Sequence, residues 1–263
     1  LFQYFLIIIL VALLYMHIET RQLKVEKVNL SKDNNYIKIA QLSDIHIGFM
    51  FTSYRKIKKA LLAADPDIII LTGDYIENSK QIQKFMDFLD VLPSRPSFAC
   101  FGNHDYKAFL KDKNGMNSFA KLIEAKGITM LRNASTTLNL NGRQINLVGI
   151  EDMRYKTHNV KKAFSGINNS LTTVAFSHNP DILFSLGQNK ADLLMAGHFH
   201  GGQIWMPFRF EFKLLRKEKL SKMKIYKGLH YVNNQRIYIS RGLGNVVFPF
   251  RFFSKPEITI FKI

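Results

Sequence analysis

Residues 36–74 read YIKIAQLSDIHIGFMFTSYRKIKKALLAADPDIIILTGD, and the order of periodicities within them decides the fold. The first eight, YIKIAQLS, alternate apolar and polar positions as a half-buried strand does. SYRKIKKALLAA, 53–64, sets Ile57, Ala60, Leu61 and Ala64 at helical spacing, and DIIILTGD, 67–74, is a short buried strand. Strand, helix and strand in that order make a β-α-β unit, whose two strands run parallel because the helix carries the chain back.

Toward the C-terminus the alternation continues. The pattern predicts a helix around 79–91 bounded by Pro93, a strand SFACFG over 97–102, and a helix around 117–126 stopped by Gly127. Strand-like stretches follow at 136–150, 171–177, 192–196, 224–232, 235–240 and 257–262. Early β-α-β units followed by mostly β sequence predict an α/β fold, with sheets covered by helices and a mixed second sheet. No internal repeat or low-complexity tract interrupts it, so one catalytic-sized domain over 36–263 is the expected organisation.

Toward the N-terminus the sequence changes character. LFQYFLIIILVALLYM is apolar from Leu1 to Met16 except for Gln3, and Arg21, Lys24 and Lys27 follow it closely. Residues 1–18 read as a membrane anchor, somewhat short of the roughly 20 residues that span a bilayer. Because the chain opens on leucine, further residues are expected before it. No A-x-A-like cleavage site follows the apolar run, which favours a retained segment over a signal peptide. The basic flank points to a catalytic body on the cytoplasmic side of the inner membrane. Residues 19–35 are expected to be a connector.

Charge narrows the partners without choosing one. The 37 Lys and Arg against 20 Asp and Glu give a net charge of +17, which suits an anionic membrane, a phosphorylated substrate or nucleic acid. Cys100 is the sole cysteine, so an intrachain disulfide is excluded and a metal site would use oxygen and nitrogen ligands.

Such ligands gather where the expected strands end. SDIH closes the first with Asp44 and His46, two apart and so on one side of an extended chain. Asp74 closes the second, Asn103, His104 and Asp105 close the third in GNHD, His178 closes a later one in FSHNPD, and His198 and His200 close another in GHFHGG. Ligands in open α/β sheets bind beyond the carboxyl ends of the strands, so these groups would converge. A single D-x-H, or Gly-Asp after a strand, is more often a turn, and H-x-H in a basic protein can be a solvated pair. It is their conjunction that carries the signal. Carboxylate, amide oxygen and imidazole without thiolate suit Mn, Fe or Zn, with Mg also possible, and the surplus of ligands suits two ions. Paired ions activate water and clamp phosphoryl oxygens in an in-line displacement, which is hydrolytic phosphate chemistry.

The series D-x-H, G-D, G-N-H-D, H and G-H-x-H over about 37–263 resembles the calcineurin-like metallophosphoesterases. GHFHGGQI, YISRGLG and FPFRFFSKPEITIF are similar to the tail of the membrane-anchored bacterial branch. The resemblance implies a four-layer α/β/β/α sandwich behind an N-terminal transmembrane segment. It implies two divalent ions, manganese first, one held by Asp44, His46 and His200, the other by Asn103, His178 and His198, with Asp74 bridging. It leaves His104 unligated over the scissile phosphate, its ring held by Asp105, with a metal-bridging hydroxide as nucleophile. Ile45 and Phe199 depart from the Leu and Thr usual at those positions, neither of which is a ligand in the family.

The substrate is read from another region. WMPFRFEFKLLRKEKLSKMKIYK, 205–227, interleaves Trp205, Phe208, Phe210 and Phe212 with Arg209, Lys213, Arg216, Lys217, Lys219, Lys222 and Lys224, and VVFPFRFFSK, 246–255, has a similar character. Aromatic and basic residues together suit the headgroup zone of an anionic membrane, and they also suit single-stranded nucleic acid. With the anchor, the expectation is a lipid-linked phosphoester or pyrophosphate; hydrolysis of UDP-2,3-diacylglucosamine is one reaction known in related branches. A nuclease, with nucleic acid the disfavoured partner, and a non-catalytic metal-binding scaffold are the alternatives. Arg241 and Arg251 are candidates for a second phosphate, or equally for structural ion pairs.

Overall fold

The computed structural model describes residues 2–32, 34–140, 142–204 and 216–263. A helix, α1 (Phe2–Glu19), opens the chain and is exposed along nearly its whole length. By length and composition it could cross a membrane. Two six-stranded sheets follow. The first has the order β1 (Lys24–Asn29), β12 (Glu257–Lys262), β2 (Lys38–Leu42), β3 (Ile68–Thr72), β4 (Ser97–Cys100), β5 (Ile128–Met130). The second runs β10 (Gly228–Val232), β11 (Gln235–Ile239), β9 (Leu193–Ala196), β8 (Thr172–Phe176), β7 (Arg143–Gly149), β6 (Ala134–Leu140). Strands β2 to β5 are mutually parallel, as are β7, β8, β9 and β11.

Period-two alternation sorts the side chains into layers. On β3, Ile69 and Leu71 face the helices α2 (Tyr54–Ala64), α3 (Ile82–Leu89) and α5 (Gly115–Ala125), while Ile68 and Ile70 face the second sheet. Across from them stand Leu147, Val174 and Leu193. The far face of the second sheet, with Val148, Ala175 and Leu194, is covered by α6 (Val160–Ala163), the 3-10 turn Pro180–Ser185 and α7 (Lys219–Lys222). Three apolar cores between helix, sheet, sheet and helix make the expected four-layer sandwich. Gln41 crosses the middle core, donating to Thr72 Oγ1 (3.1 Å) and to the Ala196 carbonyl (3.0 Å), and so ties the sheets together beside the ends of β3 and β9.

Three local expectations change. Residues 19–35, expected as a connector, contain β1, which pairs parallel to β12 at the sheet edge. Its sequence, KVEKVN, hides the strand because an edge strand carries charges and buries little. The stretch 136–150 is a hairpin, β6 against β7, with Leu140 paired to Arg143. The short helix α4 (Asn103–Ala108) begins directly at the GNHD motif and escapes periodicity because it has fewer than two turns.

Candidate metal centre

The two sheets place the carboxyl ends of β2, β3, β4, β8 and β9 together, and the residues expected as ligands meet there. Asp44, His46 and His200 form one group and Asp74, His178 and His198 another, the ligand atoms within each lying no more than 4.8 Å apart. Asp74 Oδ2 is 3.0 Å from His178 Nε2 and 3.6 Å from His46 Nε2, so one oxygen faces both groups. His200 Nε2 is 3.3 Å from Asp44 Oδ1. Asn103 begins α4 beside them, buried.

Local backbone shape brings these side chains inward. Asp44, His46, Asp74, His198 and His200 all have φ between 38° and 76°, in the left-handed region. Asp and His tolerate it better than most residues, at a cost of about 1–3 kcal/mol each. Two glycines permit close approach. A Cβ on Gly102 would lie 2.2 Å from Asp74 Oδ1, and one on Gly197 would lie 2.2 Å from Asp44 Oδ2. Any side chain at either place would displace a carboxylate of the centre.

Each imidazole commits one nitrogen to an outer partner and offers the other to the centre. His178 Nδ1 donates to the Thr72 carbonyl (2.9 Å) and His200 Nδ1 to the Gly244 carbonyl (3.2 Å). His46 uses Nδ1 on Glu77 (2.5 Å), and His198 uses Nε2 on Glu218 (2.9 Å). That is how metal-ligating histidines are oriented. The donor set fits divalent ions on a direct observation: Asn103 Oδ1 and His46 Nε2 are buried with no hydrogen-bond partner among the described residues, a state that is costly unless a ligand satisfies it. Two buried carboxylates, Asp44 and Asp74, also call for positive charge.

Burial pulls the His178 imidazole down, but the Asp74 carboxylate beside it outweighs burial and takes it up to about 10. His178 Nε2 thus presents its proton to Asp74 and to His198 Nδ1, 3.2 Å away. Burial takes His198 down to about 4, so that ring is neutral and ready to ligate at pH 7. A metal ligated by His178 Nε2 would displace that proton. Adding Mn to chelator-stripped protein is therefore expected to release one proton at this group, with affinity rising roughly tenfold per pH unit from pH 7 to 9. Titration calorimetry in buffers of different ionisation heat measures it. An affinity indifferent to pH would contradict the assignment.

His104 groups with His46 and Glu77, their ligand atoms lying no more than 4.8 Å apart, and the partner of its ring differs from the expected one. Its Nδ1 bonds Glu77 Oε2 at 2.7 Å, and its backbone N–H donates to Asp74 Oδ1 at 2.7 Å. Asp105, expected to hold the ring, instead accepts from the backbone N–H groups of Asp74, Tyr75, Ile76 and Gly102 at 2.8–3.1 Å. As the third residue of α4, its carboxylate turns back to the helix start, away from the adjacent imidazole. Glu77 holds both His46 and His104. Burial pushes its carboxyl up, but the hydrogen bonds from His104 and His46 outweigh that and bring it to about 2. Burial likewise opposes protonation of His104, yet the hydrogen bond to Glu77, with the Asp74 and Glu77 charges, outweighs it and raises the imidazole above its ordinary value.

Sequence reasoning missed Glu77 and Glu218. Glu77 lies in a loop without periodicity, three residues after Asp74. Glu218 had one signal, as the single acid in the basic run 213–224. Arg216, beside it, donates from Nη2 to the His198 carbonyl at 3.2 Å and puts a cation next to the centre. Ile45 and Phe199 are fully buried in the two outer cores, so both departures from the motif are packing choices. Trp205, Phe208, Arg209, Phe210, Phe212 and Lys213 lie outside the described residues.

The two candidate phosphate-binding arginines are used otherwise. Arg241 pairs with Glu26 (2.9 Å) and Glu257 (2.5 Å). Arg251 is fully buried and donates to Asn245 Oδ1 and to the carbonyls of Arg241, Gly242, Gly244 and Ser254. With its donors spent, it has no reach to a substrate. Arg251→Met is expected to cost at least about 3 kcal/mol, since each buried group left unpaired costs about 1–3 kcal/mol. An unfolding free energy from urea titration within about 0.5 kcal/mol of the parent's, the range of an ordinary surface change, would instead free Arg251 for another role.

Comparison with known proteins agrees with this geometry. The family model described as calcineurin-like phosphoesterase matches residues 37–202. YkoQ of Bacillus subtilis, an uncharacterized metallophosphoesterase, is 30% identical over 253 residues, covering 93% of this chain and 92% of its own. The phosphodiesterase YaeI of Escherichia coli is 31% identical over 239 residues, 88% of this chain and 84% of its own. LpxG of Chlamydia muridarum, a UDP-2,3-diacylglucosamine pyrophosphatase, is 27% identical over 304 residues, 94% of this chain and 91% of its own. The chain belongs to the calcineurin-like phosphoesterases and is a metal-dependent phosphoester hydrolase.

Proposed function

We propose that this hydrolase is anchored by α1 in the inner membrane, its catalytic body cytoplasmic, and cleaves a phosphoester or pyrophosphate of a lipid-linked substrate. Asp44, His46 and His200 would hold one divalent ion, and Asn103, His178 and His198 the other, with Asp74 between them. Manganese is the first choice. When bound, the pair supplies an acidified water and neutralises a phosphoryl group. His104 donates a proton to the leaving oxygen, Glu77 fixes its ring, and Arg216 offers a cation to the substrate beside His198.

One observation carries the lipid part of this reading. The apolar helix α1 ends against the loop that holds the centre: Glu19 accepts from the N–H groups of Phe253 (3.1 Å) and Ser254 (2.9 Å), and Ser254 Oγ donates to the His200 carbonyl (2.7 Å). A membrane helix so placed would set the centre close to the lipid surface. The likeness to LpxG supports an acylated sugar nucleotide as one such substrate.

The test is turnover in detergent with Mn on bis-p-nitrophenyl phosphate, UDP-2,3-diacylglucosamine, a phospholipid and single-stranded DNA, each beside Asp74→Ala. Activity concentrated on an acylated substrate is the expected result. Turnover confined to the DNA would support a nuclease instead, and inactivity on all four with saturating Mn would revive the scaffold.

A further inference from the structure

The loop that meets α1 has a second property. It exposes large apolar side chains on a backbone that is firmly held. Val247, Phe248 and Phe253 are 73%, 55% and 59% exposed, and Phe49 on the neighbouring loop is 39% exposed. Mobile loops expose apolar groups in passing; this one is pinned. Gln203 donates to the carbonyls of Val246 and Phe248 and accepts from Val246 N–H. Asn245 bonds the Phe49 carbonyl through both its side chain and its backbone. Arg251 fills the loop's interior, and its N–H donates to Met16 of α1.

The backbone also accepts strain to show these groups. Val247 and Phe253 have φ of 62° and 54°, conformations that are outliers for β-branched or bulky residues. Contiguous exposed apolar surface marks an interaction site, and here it continues the surface of α1. Tyr15 and His17 of the helix stack edge-on with Phe252 and Phe250 of the loop. Exposed Arg21 and Lys255 flank it, and the chain's net charge is +17. Apolar rings rimmed by cations suit the boundary between headgroups and acyl chains of an anionic leaflet.

We propose that residues 246–253, with Phe49, seat in the headgroup region of the anionic bilayer leaflet at which α1 ends, as a second membrane contact beside His200. This rests on the membrane reading of α1 proposed above. The loop bonds His200 through Gly244 and Ser254, so lipid contact and the geometry of one metal ligand belong to a single rigid unit.

Full-length protein, with Trp205→Phe to remove the sole tryptophan, is reconstituted in phosphatidylglycerol vesicles. It carries one reporter at a time: Phe248→Trp in the loop, Ile8→Trp in α1, and Ser170→Trp at the opposite, amino end of β8. Lipids brominated near the headgroup or near the chain ends then quench by depth. Phe248→Trp is expected to be quenched by the shallow bromines, at a depth of about 5–10 Å, Ile8→Trp by the deep ones, and Ser170→Trp by neither. Quenching of Ile8→Trp with none of Phe248→Trp would overturn the loop contact and leave the anchor standing. A blue-shifted but unquenched Phe248→Trp would put protein, such as a second copy of the chain, on the patch and would also overturn it. If Ile8→Trp is not quenched, the membrane reading and the loop contact fall together. No substrate is present, so the outcome is separable from whether the lipid is cleaved.

Discussion

Asp74→Ala is expected to bind neither ion and to show turnover at the level of protein without metal. Asp74 Oδ2 faces a histidine of each group, and Oδ1 accepts the His104 N–H, so one carboxylate would serve both proposed metals and the helix that carries the proposed proton donor. The effect should exceed the roughly 10–100-fold loss typical of removing an outer partner of a metal ligand. Alanine also fits poorly at φ 56°, where a non-glycine residue costs about 1–2 kcal/mol. Asp74→Asn separates the two effects, because asparagine tolerates that backbone and keeps an amide oxygen while losing the charge. Metal analysis of both variants after dialysis checks the prediction, and a full complement of ions in Asp74→Asn would contradict it.

His104→Ala is expected to lower kcat by about 10²–10⁴-fold, the range for a lost general acid, with both ions retained. Its ring touches Glu77 and the edge of His46 but belongs to neither group of four assigned around the two ions. Glu77→Gln should differ in kind. It loosens a ligand and the proton donor together, so metal affinity and kcat should each fall about 10–100-fold. The pH profile gives the sign. Glu77 raises the His104 pKa, so the acid form persists to higher pH in the parent, and the alkaline limb of kcat should move to lower pH in Glu77→Gln. Equal metal loss in His104→Ala and Asp74→Ala would contradict the division of roles.

The features that were legible in the sequence are those with a local cause. β2, α2 and β3 show their periods because each buries one face against a continuous core. The clustering of the proposed ligands shows because parallel strands must end on one side, where polar residues following an apolar run have few other reasons to recur. Glu77 and Arg251 were not legible for the same physical reason. Each is defined by what folds against it: His46 and His104 for the one, four carbonyls from residues 241–254 for the other. Asp105 was placed wrongly beside His104 because adjacency in a helix sends neighbouring side chains to different faces. The aromatic and basic run FPFRFF hid a fully buried arginine among exposed rings, which no averaged property of the segment distinguishes.

In the proposed assignment each ion draws ligands from both sheets. Asp44, His46, Asp74 and Asn103 follow strands of the first, while His178, His198 and His200 follow strands of the second. During synthesis, a chain that has emerged only through β5 carries the first four and completes no site. β12 comes last in chain order among the described strands, so until it forms β1 has no strand partner among them and β2 is paired only with β3. Assembly of the proposed centre therefore waits on β9 and the residues just after it, and a chain cut short before His200 would carry an incomplete set of the proposed ligands.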